Sequence, residues 1–424
     1  MRILLWHGYL LGGTGSNVYT RQLAREWSRA GHDVTVLSQE PRPETYDLGA
    51  AATVRPDVHG FLPVFVLDRY EGYEVRRVQD CTRAELDTWV EANASAVRAL
   101  LPADLVFTNH VLLGGPVGAA SGARYAVKAH GSELEYSMRG NPALERWGRE
   151  SLERASATFV GSEHIRAVLA EVCGPVDRVH EVPPGVDVEL WVPEDRAAAF
   201  EALLDESRLD ASNPGNGDER RADDGNAARL EGFLAGETPP TIVYFGKLIE
   251  QKGVDVLLDA LGGLEARLVV VGFGPERARL EARVADEGLR ALFTGPLEHR
   301  HLRHLLALAD ACVVPSVFPE AFGMVAAEAA SAGCPPVVAR HSGLAEVAAG
   351  LEEALPPGLA RLVSFPTGDA AALHARLAAL LALGHGDRAL IRSTVRRVVE
   401  ERWSWAGVAA RLLDAAVSDS KSDT

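Results

Sequence analysis

The sequence predicts an α/β protein with two parallel sheets, each in a domain of its own. Strand-like apolar segments alternate with helical segments along the whole chain, which is typical of parallel sheets covered by helices on both faces. The length of 424 residues suits two domains, each with its own core. In the first half, strands are expected near residues 2–6, 33–38, 104–108, 125–129, 157–161 and 179–182. In the second half, they are expected near 241–245, 267–271, 291–294, 311–315, 336–339 and 362–365.

These segments predict a first domain over residues 1–190 and a second over 239–402, joined by a linker over 191–238. Within the linker, residues 194–237 carry twelve acids and five arginines. The stretch DASNPGNGDERRADDGN is poor in apolar residues, so we predict a disordered insertion over 205–228, with short helices over 196–204 and 227–235 at its flanks. A final helix is expected over about 403–418, with Val408, Leu412 and Leu413 on one stripe.

Composition argues against several functional classes. The formal net charge of −16 makes nucleic acid an unexpected partner. No run approaches eighteen apolar residues, and the apolar start is too short for a signal peptide, so we expect a cytoplasmic protein. The four cysteines are scattered without metal or redox spacing. His299, His301 and His304 are close in sequence, but we interpret them as ordinary solvent-facing surface and predict no metal site there.

The stretch PEAFGMVAAE, residues 319–328, places two carboxylates eight positions apart across a strand–loop–helix junction. Glu320 is expected in the loop and Glu328 in the second turn of the helix, which ends before Gly333. Gly323 lets a ligand approach the backbone, and the helix start beside it offers free amides to an anion. Such a pocket suits a sugar and a phosphate together. The alternative is an ordinary turn followed by a surface helix with two solvated acids.

Two lysines stand close together in YFGKLIEQKG, residues 244–253, after a predicted strand. The chain has only four lysines against 39 arginines, and two of them are Lys247 and Lys252. A compact ammonium neutralises phosphate as a point charge, which favours a phosphate-binding role over two merely solvated lysines.

Glycines follow strands at two further places. Gly12, Gly13 and Gly15 precede a helical run over about 17–29, an arrangement typical of a phosphate cradle. Gly272 and Gly274 in VGFGPER resemble a dinucleotide fingerprint, but its third glycine position is Arg277, which argues against hydride transfer.

In their order along the chain, these motifs resemble family 4 glycosyltransferases. The resemblance includes the E-x7-E element, GKLIEQKG, VVVGFGPERARLEA, FTGPLEHRHLRHLLALADACVVPS and HSGLAEV in the second half. In the first half it includes LLGGTGSNVYTRQLAREWSRAGHDVTV, KAHGSE and VPPGVDVELW, so that only residues 194–237 lie outside it. The family implies the GT-B fold: two Rossmann-like parallel-sheet domains facing across a cleft, with the C-terminal helix crossing back to the first domain.

The resemblance also implies the activity: retaining transfer of a sugar from a nucleotide diphosphate, UDP or GDP, to an acceptor hydroxyl. No D-x-D sequence occurs, so no divalent metal or other cofactor is expected to be essential, and lysines and helix-end amides would stabilise the leaving diphosphate. Many relatives use lipid-linked acceptors, so peripheral membrane contact is a further expectation. The donor sugar, the acceptor, the oligomeric state and the role of the insertion are left open.

Site residues carry over from the matching motifs. The expected catalytic residues are His130, Lys247, Lys252 and Glu320, although most relatives have arginine where this chain has Lys247. In the family the first glutamate contacts the donor sugar and the second the ribose. The expected donor-binding residues are Gly12, Gly13, Gly15, Gly246, Gly272, Phe273, Gly274, Pro296, Leu297, Ala321, Phe322, Gly323, Met324, Val325 and Glu328. The acceptor candidates are Arg69, Tyr70, His110, Glu133, Tyr136 and Arg139, each of which also suits surface or core packing.

Two other enzyme classes fit parts of the pattern. One is a sugar-nucleotide epimerase or hydrolase on the same architecture. The other is a glycosidase that uses Glu320 and Glu328 as an acid and nucleophile pair.

Overall fold

The computed structural model describes residues 1–66, 70–236 and 239–418. The chain forms two compact units, one from Met1–Gly185 together with the C-terminal residues from Trp405, the other from Val186–Ser404. The polypeptide therefore leaves the N-terminal unit once and returns to it once. The second unit contains the whole stretch predicted as a linker.

The N-terminal unit is built on a seven-stranded parallel sheet. Its strands are β1 (Arg2–Trp6), β2 (Asp33–Leu37), β3 (Ala52–Val54), β6 (Leu105–Asn109), β7 (Tyr125–Lys128), β8 (Ala157–Val160) and β9 (Val179–Glu181), with a separate pair β4 (Phe61–Val64) and β5 (Glu74–Arg77). Its first helices are α1 (Gly15–Arg29), α2 (Arg83–Ala99), α3 (Gly114–Ser121), α4 (Pro142–Glu153) and α5 (Glu163–Cys173). The sheet order is β3-β2-β1-β6-β7-β8-β9. The chain reverses direction across the sheet at β1, so the ends of β1, β6 and β7 flank the expected ligand crevice.

The C-terminal unit is built on a six-stranded parallel sheet of order β12-β11-β10-β13-β14-β15. Its strands are β10 (Thr241–Phe245), β11 (Arg267–Val271), β12 (Ala291–Phe293), β13 (Ala311–Val314), β14 (Pro336–Ala339) and β15 (Ser364–Phe365). Its helices are α6 (Arg196–Arg208), α7 (Asn226–Leu234), α8 (Val254–Leu261), α9 (Arg277–Asp286), α10 (His299–Leu308), α11 (Met324–Ser331), α12 (Ser342–Ala354), α13 (Pro357–Ala360), α14 (Ala370–Leu381) and α15 (His385–Arg402). The corresponding reversal lies at β10, between β11 and β13.

The last helix, α16 (Trp405–Ser418), packs against α1 of the N-terminal unit. Its apolar stripe is buried, with Val408 and Leu412 fully covered. The indole Nε1 of Trp27 in α1 donates to the carbonyl of Ala409 at 2.9 Å. The predicted final helix and its return to the first domain are therefore confirmed. Within the described ranges, no helix is both long and apolar enough to cross a bilayer.

The insertion differs from its prediction, because the structure orders it against the C-terminal unit. The flanking helices α6 and α7 pack on each other, and α6 packs on α10. In the segment between them, Asp223 is 3% exposed, accepts from Arg277 Nη1 at 2.8 Å and donates its backbone N–H to the carbonyl of Thr294 at 2.9 Å. The prediction of disorder used only the composition of the segment itself. It could not include an ion pair with an arginine that is distant in sequence, such as Arg277.

Two histidines of α10, His301 and His304, also differ from their prediction as solvent-facing surface, whereas His299 is exposed. His301 is 1% exposed and His304 is 8% exposed. His304 Nδ1 lies 2.5 Å from a carboxylate oxygen of Glu194, and His301 Nε2 lies 3.1 Å from one of Asp210. Glu194 and Asp210 of the predicted linker therefore cover these histidines. No group of histidines, cysteines and acids suited to a metal ion occurs in the part of the chain that the structure describes.

Candidate active site

In the C-terminal unit, the reversal at β10 brings the loops after β10 and β13 side by side. The ammonium of Lys252 pairs with the carboxylate of Glu320, and the Ser316 hydroxyl donates to the same oxygen at 2.6 Å. Both charged side chains remain partly exposed, at 31% for Lys252 and 23% for Glu320. The sequence predicted both residues for one site, and the structure brings them into contact.

The segment that begins α12 holds the Glu320 loop in place. The backbone N–H of Glu320 donates to the Ser342 hydroxyl at 2.8 Å, and that hydroxyl lies 3.0 Å from His341 Nδ1. His341 Nε2 contacts the carbonyl of Ser316 at 2.8 Å. The HSGLAEV segment therefore supports the loop from Ser316 to Glu320, which sequence reasoning did not predict. The available signal was an imidazole and a hydroxyl, His341 and Ser342, directly after the predicted strand at 336–339.

Close backbone approach explains two glycines of this site. A Cβ on Gly253 (φ 65°) would lie 2.1 Å from the carbonyl oxygen of Pro315, and one on Gly272 (φ 143°) would lie 1.8 Å from that of Gly246. The loops after β10, β11 and β13 therefore touch through their backbones, without room for side chains between them. Lys247 lies at the exposed turn between these contacts.

Glu328 lies in the second turn of α11, as predicted. Its side chain is half-buried, and burial raises the pKa of its carboxyl to about 8. Among the described residues, no side chain or backbone amide donates a hydrogen bond to this carboxyl. Glu328 therefore retains acceptor capacity for a ligand that enters from the exposed side.

The other expected donor-binding residues occupy different environments. Phe322 is 5% exposed, and its ring packs edge-to-face on Trp403 with centroids 5.6 Å apart, so the phenyl group belongs to the core. Leu297 is also buried, at 8%. The half-buried residues near the same loops are Gly246, Phe273, Gly274, Pro296, Met324 and Val325. Ala321 is exposed, and Gly272 and Gly323 are buried.

The insertion lies directly against two of these loops. Arg277, which begins α9 after the VGFG turn, is bonded to Asp223 through both terminal nitrogens. A Cβ on Gly295, one residue before Pro296, would lie 2.8 Å from a carboxylate oxygen of Asp223. The ordered insertion thus supports the expected nucleotide-binding loops from outside.

In the N-terminal unit, Glu133 connects the loops that follow β6 and β7. It is fully buried and accepts from the backbone N–H of His130 at 2.9 Å, from that of Val111 at 3.3 Å and from His110 Nδ1 at 3.2 Å. Burial raises the pKa of Glu133, but the His110 ring and these hydrogen bonds outweigh it and hold the pKa below its usual value. All the contacts of this side chain lie inside the unit, and its acceptor-binding role remains a prediction.

His130 lies at the end of β7, half-buried, where the sequence predicted it. Its Nε2 lies 2.7 Å from the side-chain oxygen of Asn109, and its ring packs edge-to-face on Tyr19 with centroids 5.1 Å apart. Burial, reinforced by nearby His110 and Lys128, lowers the pKa of His130 well below its usual value. His130 is therefore neutral at physiological pH.

Further buried polar groups surround His130 that sequence reasoning did not assign. His7 is fully buried and stacks on His110 with centroids 5.9 Å apart. Lys128 is 2% exposed, donates to the carbonyl of Val182 at 2.9 Å and has its pKa lowered by burial to about 7. These residues follow or end β1 and β7, and Asn109 ends β6. The only feature of the sequence that could have indicated these residues was a polar side chain at or just after the end of an apolar strand.

The glycine loop after β1 precedes α1 as expected. Thr14 caps the helix, and the Asn17 amide nitrogen donates to the carbonyl of Gly12. Gly13 adopts φ 93°, and a Cβ there would meet nothing within 4 Å, so open space lies above it. Gly15 is the first residue of α1 and also has open space at its Cβ position.

The remaining acceptor candidates are dispersed. His110 is 2% exposed and belongs to the buried cluster, and Tyr70 packs partly buried against the N-terminal core. Tyr136 is 60% exposed. Arg139 is partly exposed and forms ion pairs with Glu135 and Glu171. Arg69 lies outside the described residues.

Comparisons with known proteins agree with this arrangement. The family described as "Glycosyl transferases group 1" matches residues 230–396, and "Glycosyltransferase Family 4" matches residues 13–190. The 2-deoxystreptamine glucosyltransferase of Streptomyces kanamyceticus is 30% identical over 69% of this chain and 80% of its own length. The D-inositol 3-phosphate glycosyltransferase of Xylanimonas cellulosilytica is 29% identical over 96% of this chain and 92% of its own.

A third relative matches more closely over a shorter stretch. It is a GDP-mannose-dependent phosphatidylinositol dimannoside mannosyltransferase of Mycobacterium tuberculosis, 40% identical over 28% of this chain and 32% of its own length. Among solved structures, an Anabaena protein, HepE, in complex with UDP has a TM-score of 0.68 at 16% identity, covering 99% of this chain and all of that chain. The sucrose-phosphate synthase of Thermosynechococcus elongatus has a TM-score of 0.62 at 22% identity, covering 97% of both chains. The two parallel-sheet units have the GT-B fold, and the chain belongs to the family 4 glycosyltransferases.

Proposed function

We propose that the protein transfers a sugar, with retention of configuration, from a UDP- or GDP-sugar to an acceptor hydroxyl, without an essential divalent metal. The observation that carries the proposal is the group formed by Lys252, Glu320 and Ser316 at the reversal of the C-terminal sheet. Lys252 is partly exposed there, Lys247 is exposed in the same loop after β10, and α11 begins after the adjoining strand β13.

Departure of a nucleotide diphosphate develops negative charge on its phosphate oxygens. In the proposed mechanism, Lys252 and Lys247 stabilise that charge, together with backbone amides at the start of α11. Because Lys252 is bound to Glu320 in the unliganded protein, an arriving phosphate shares or displaces this carboxylate. Glu320 then accepts from hydroxyls of the donor sugar, and the acceptor hydroxyl passes its proton to the leaving phosphate.

The proposal assigns the ribose to Glu328. Two vicinal hydroxyls donate to a single carboxylate, and Glu328 lacks other donors among the described residues. His130 is assigned to a hydroxyl of the transferred sugar. These residue roles follow the family resemblance, and the contacts described above are compatible with them.

A panel of nucleotide sugars tests the reaction class. UDP-glucose and GDP-mannose are incubated with the protein, with and without myo-inositol phosphate and 2-deoxystreptamine as acceptors, and release of UDP or GDP is measured. The relatives' names suggest GDP-mannose and the two acceptors, and a HepE complex with UDP-glucose suggests the other donor. If the protein is a metal-independent transferase, release of the nucleotide diphosphate should depend on the acceptor and persist in EDTA. NMR of the product should show the same anomeric configuration as in the donor. Release without acceptor would favour a hydrolase, and conversion of the donor alone would favour an epimerase.

A further inference from the structure

The side-chain amide of Asn109 has only one orientation that satisfies its neighbours. Its Nδ2 lies 3.4 Å from the carbonyl oxygen of Trp6 and 3.2 Å from the Thr20 hydroxyl. A carbonyl can only accept, and the Thr20 hydroxyl donates its own proton to the carbonyl of Ser16 at 2.8 Å. Both neighbours therefore require a donor from Asn109. The amide oxygen must face His130, because a flipped amide would set two acceptor oxygens against each other.

This orientation determines which nitrogen of His130 carries the proton. The Asn109 oxygen, 2.7 Å from His130 Nε2, can only accept, so Nε2 is the protonated nitrogen. The ring is neutral because burial and the neighbouring His110 and Lys128 hold its pKa well below the usual value. Its Nδ1 is therefore an unprotonated acceptor. Among the described residues, Nδ1 has no hydrogen-bond partner, and the side chain remains partly exposed.

His7 shows the same arrangement in a sealed position. Its Nε2 lies 2.7 Å from the oxygen of Asn17, whose amide nitrogen donates to the carbonyl of Gly12. His7 Nδ1 is buried without a partner, and burial lowers the pKa of this ring to about 3. The unit thus orients two imidazoles with two asparagines. Only the ring of His130 is accessible to a ligand.

We propose that Asn109 is a positioning residue that holds His130 as the Nε2-protonated tautomer, so that Nδ1 accepts a hydrogen bond from a hydroxyl of the transferred sugar. This inference rests on the proposed function. It restricts the substrate: the sugar position that faces His130 carries a group that donates a proton. A carboxylate, a fluorine or a methoxy group at that position offers the Nδ1 lone pair no donor.

The tautomer is measured on the protein alone, without turnover. Protein labelled with ¹⁵N-histidine is studied by long-range ¹H–¹⁵N correlation at neutral pH, and the ring signals of His130 are those lost in His130→Gln. We expect one protonated nitrogen, Nε2, and one unprotonated nitrogen, Nδ1. An Nδ1-protonated ring or a doubly protonated ring would overturn the inference. The tautomer can be measured even if no tested nucleotide sugar is a donor. A wrong tautomer would therefore contradict this inference alone, and a lack of transfer would contradict the proposed function.

Two variants test whether Asn109 acts through His130. Asn109→Asp keeps the accepting oxygen and adds a negative charge, which raises the pKa of His130, so the acid limb of kcat/KM moves to higher pH. Asn109→Leu removes the acceptor, and we expect the Nδ1-protonated tautomer to appear and kcat/KM to fall by about 100-fold, the effect of a misplaced catalytic group. Affinity for the free nucleotide diphosphate should stay within about twofold, since that ligand lacks the transferred sugar.

Asn93 provides the matched control. It is fully buried in the same unit, accepts from Trp6 Nε1 at 3.1 Å and donates to the carbonyl of Trp89 at 2.9 Å. Asn93→Asp and Asn93→Leu should lower thermal stability as much as the Asn109 variants, yet leave the His130 tautomer and the acid limb unchanged. If Asn109→Leu does not fold, Asn109→Asp and the wild-type spectrum decide the question. An acid limb of Asn109→Asp that coincides with the wild-type limb would contradict the proposal.

Discussion

The two units present their candidate functional groups in different ways. In the N-terminal unit, Glu133 and His110 are buried and bound to each other, and only the ring of His130 remains partly open. In the C-terminal unit, Lys252 is 31% exposed in a loop, and Glu328 in α11 has no hydrogen-bond donor among the residues that the structure describes. A buried polar network fixes the positions of its side chains, but few of its hydrogen-bond donors and acceptors are left for a ligand. The polar groups of an open loop keep donors and acceptors available.

The comparison predicts where substitutions act. A change in the buried N-terminal network should lower the free energy of unfolding, because each polar group there satisfies another. A change among the C-terminal loop charges should lower binding or turnover while the fold remains stable. The following experiments test this division, beginning with the largest expected effect.

Glu133→Ala should reduce the free energy of unfolding by about 3 kcal/mol, because it leaves two buried backbone N–H groups and His110 without their acceptor. Thermal and denaturant unfolding measure the change. Glu135→Ala is the matched control two residues away. Glu135 is 38% exposed in its ion pair with Arg139, so its removal should change stability by no more than about 0.5 kcal/mol. Equal losses in the two variants would contradict the assigned role of Glu133.

Lys252→Ala should lower the catalytic rate by about 100-fold, on the scale of losing one donor to a developing anion. Steady-state release of the nucleotide diphosphate measures the rate, and thermal unfolding should change little because the side chain is partly exposed. Arg397→Ala removes a more exposed cation, 53% against 31%, from a surface pair with Glu401 and should leave turnover unchanged. Full activity in Lys252→Ala would contradict the mechanism, and so would full dependence of the wild type on a divalent metal.

The C-terminal site was the more predictable of the two because short, contiguous sequence motifs contain its residues. Residues 319–328 alone placed Glu320 in a loop and Glu328 in the second turn of α11, and the structure agrees. The contact between Lys252 and Glu320 spans 68 positions, but both residues follow strands that adjoin in a parallel sheet. All twelve strands expected from periodicity are present, so the alternation of apolar segments predicted the two sheets.

The N-terminal network was not predictable from local pattern. His7, Asn109 and Glu133 follow or end three different strands, and their pairing depends on the side-chain geometry of the folded sheet. Glu133 was an acceptor candidate as a charged residue shortly after a predicted strand, and surface or core packing was its alternative. The acidic insertion was predicted to be disordered because its own stretch is poor in apolar residues. Its partner Arg277 lies 54 positions from Asp223, beyond any window of local composition.

Glu328→Gln should weaken binding of the free nucleotide diphosphate by about 1 to 3 kcal/mol, the range for a hydrogen bond to a charged group. Isothermal titration calorimetry measures the affinity. The unliganded variant should be more stable than the wild type at pH 7, because unfolding lets the buried carboxyl of the wild type ionise, whereas the amide gains nothing by unfolding. Unchanged affinity in the variant would rule out the proposed ribose contact.

The smallest effect is a proton released on binding. The folded protein holds the pKa of Glu328 at about 8, above the ordinary value of 4.5, so the unliganded carboxyl is protonated at pH 7. Ribose hydroxyls that donate to this group favour its ionised form, so binding should release close to one proton at pH 7. Affinity should rise by about fivefold between pH 7 and pH 8 and level off above pH 9, after a rise of about tenfold in all.

Calorimetry in two buffers of different ionisation enthalpy measures the number of protons released on binding. The same measurement on Glu328→Gln gives the protons that the phosphate itself exchanges, and this number is subtracted from the wild-type value. The folded state binds the Glu328 proton more tightly than the unfolded state does. The stability of the unliganded wild type should therefore fall, relative to the variant, as pH rises from about 4.5 to about 8. If wild type and variant release the same number of protons at pH 7, Glu328 does not ionise on binding. In that case the open acceptor of the C-terminal unit serves a ligand group other than the ribose diol.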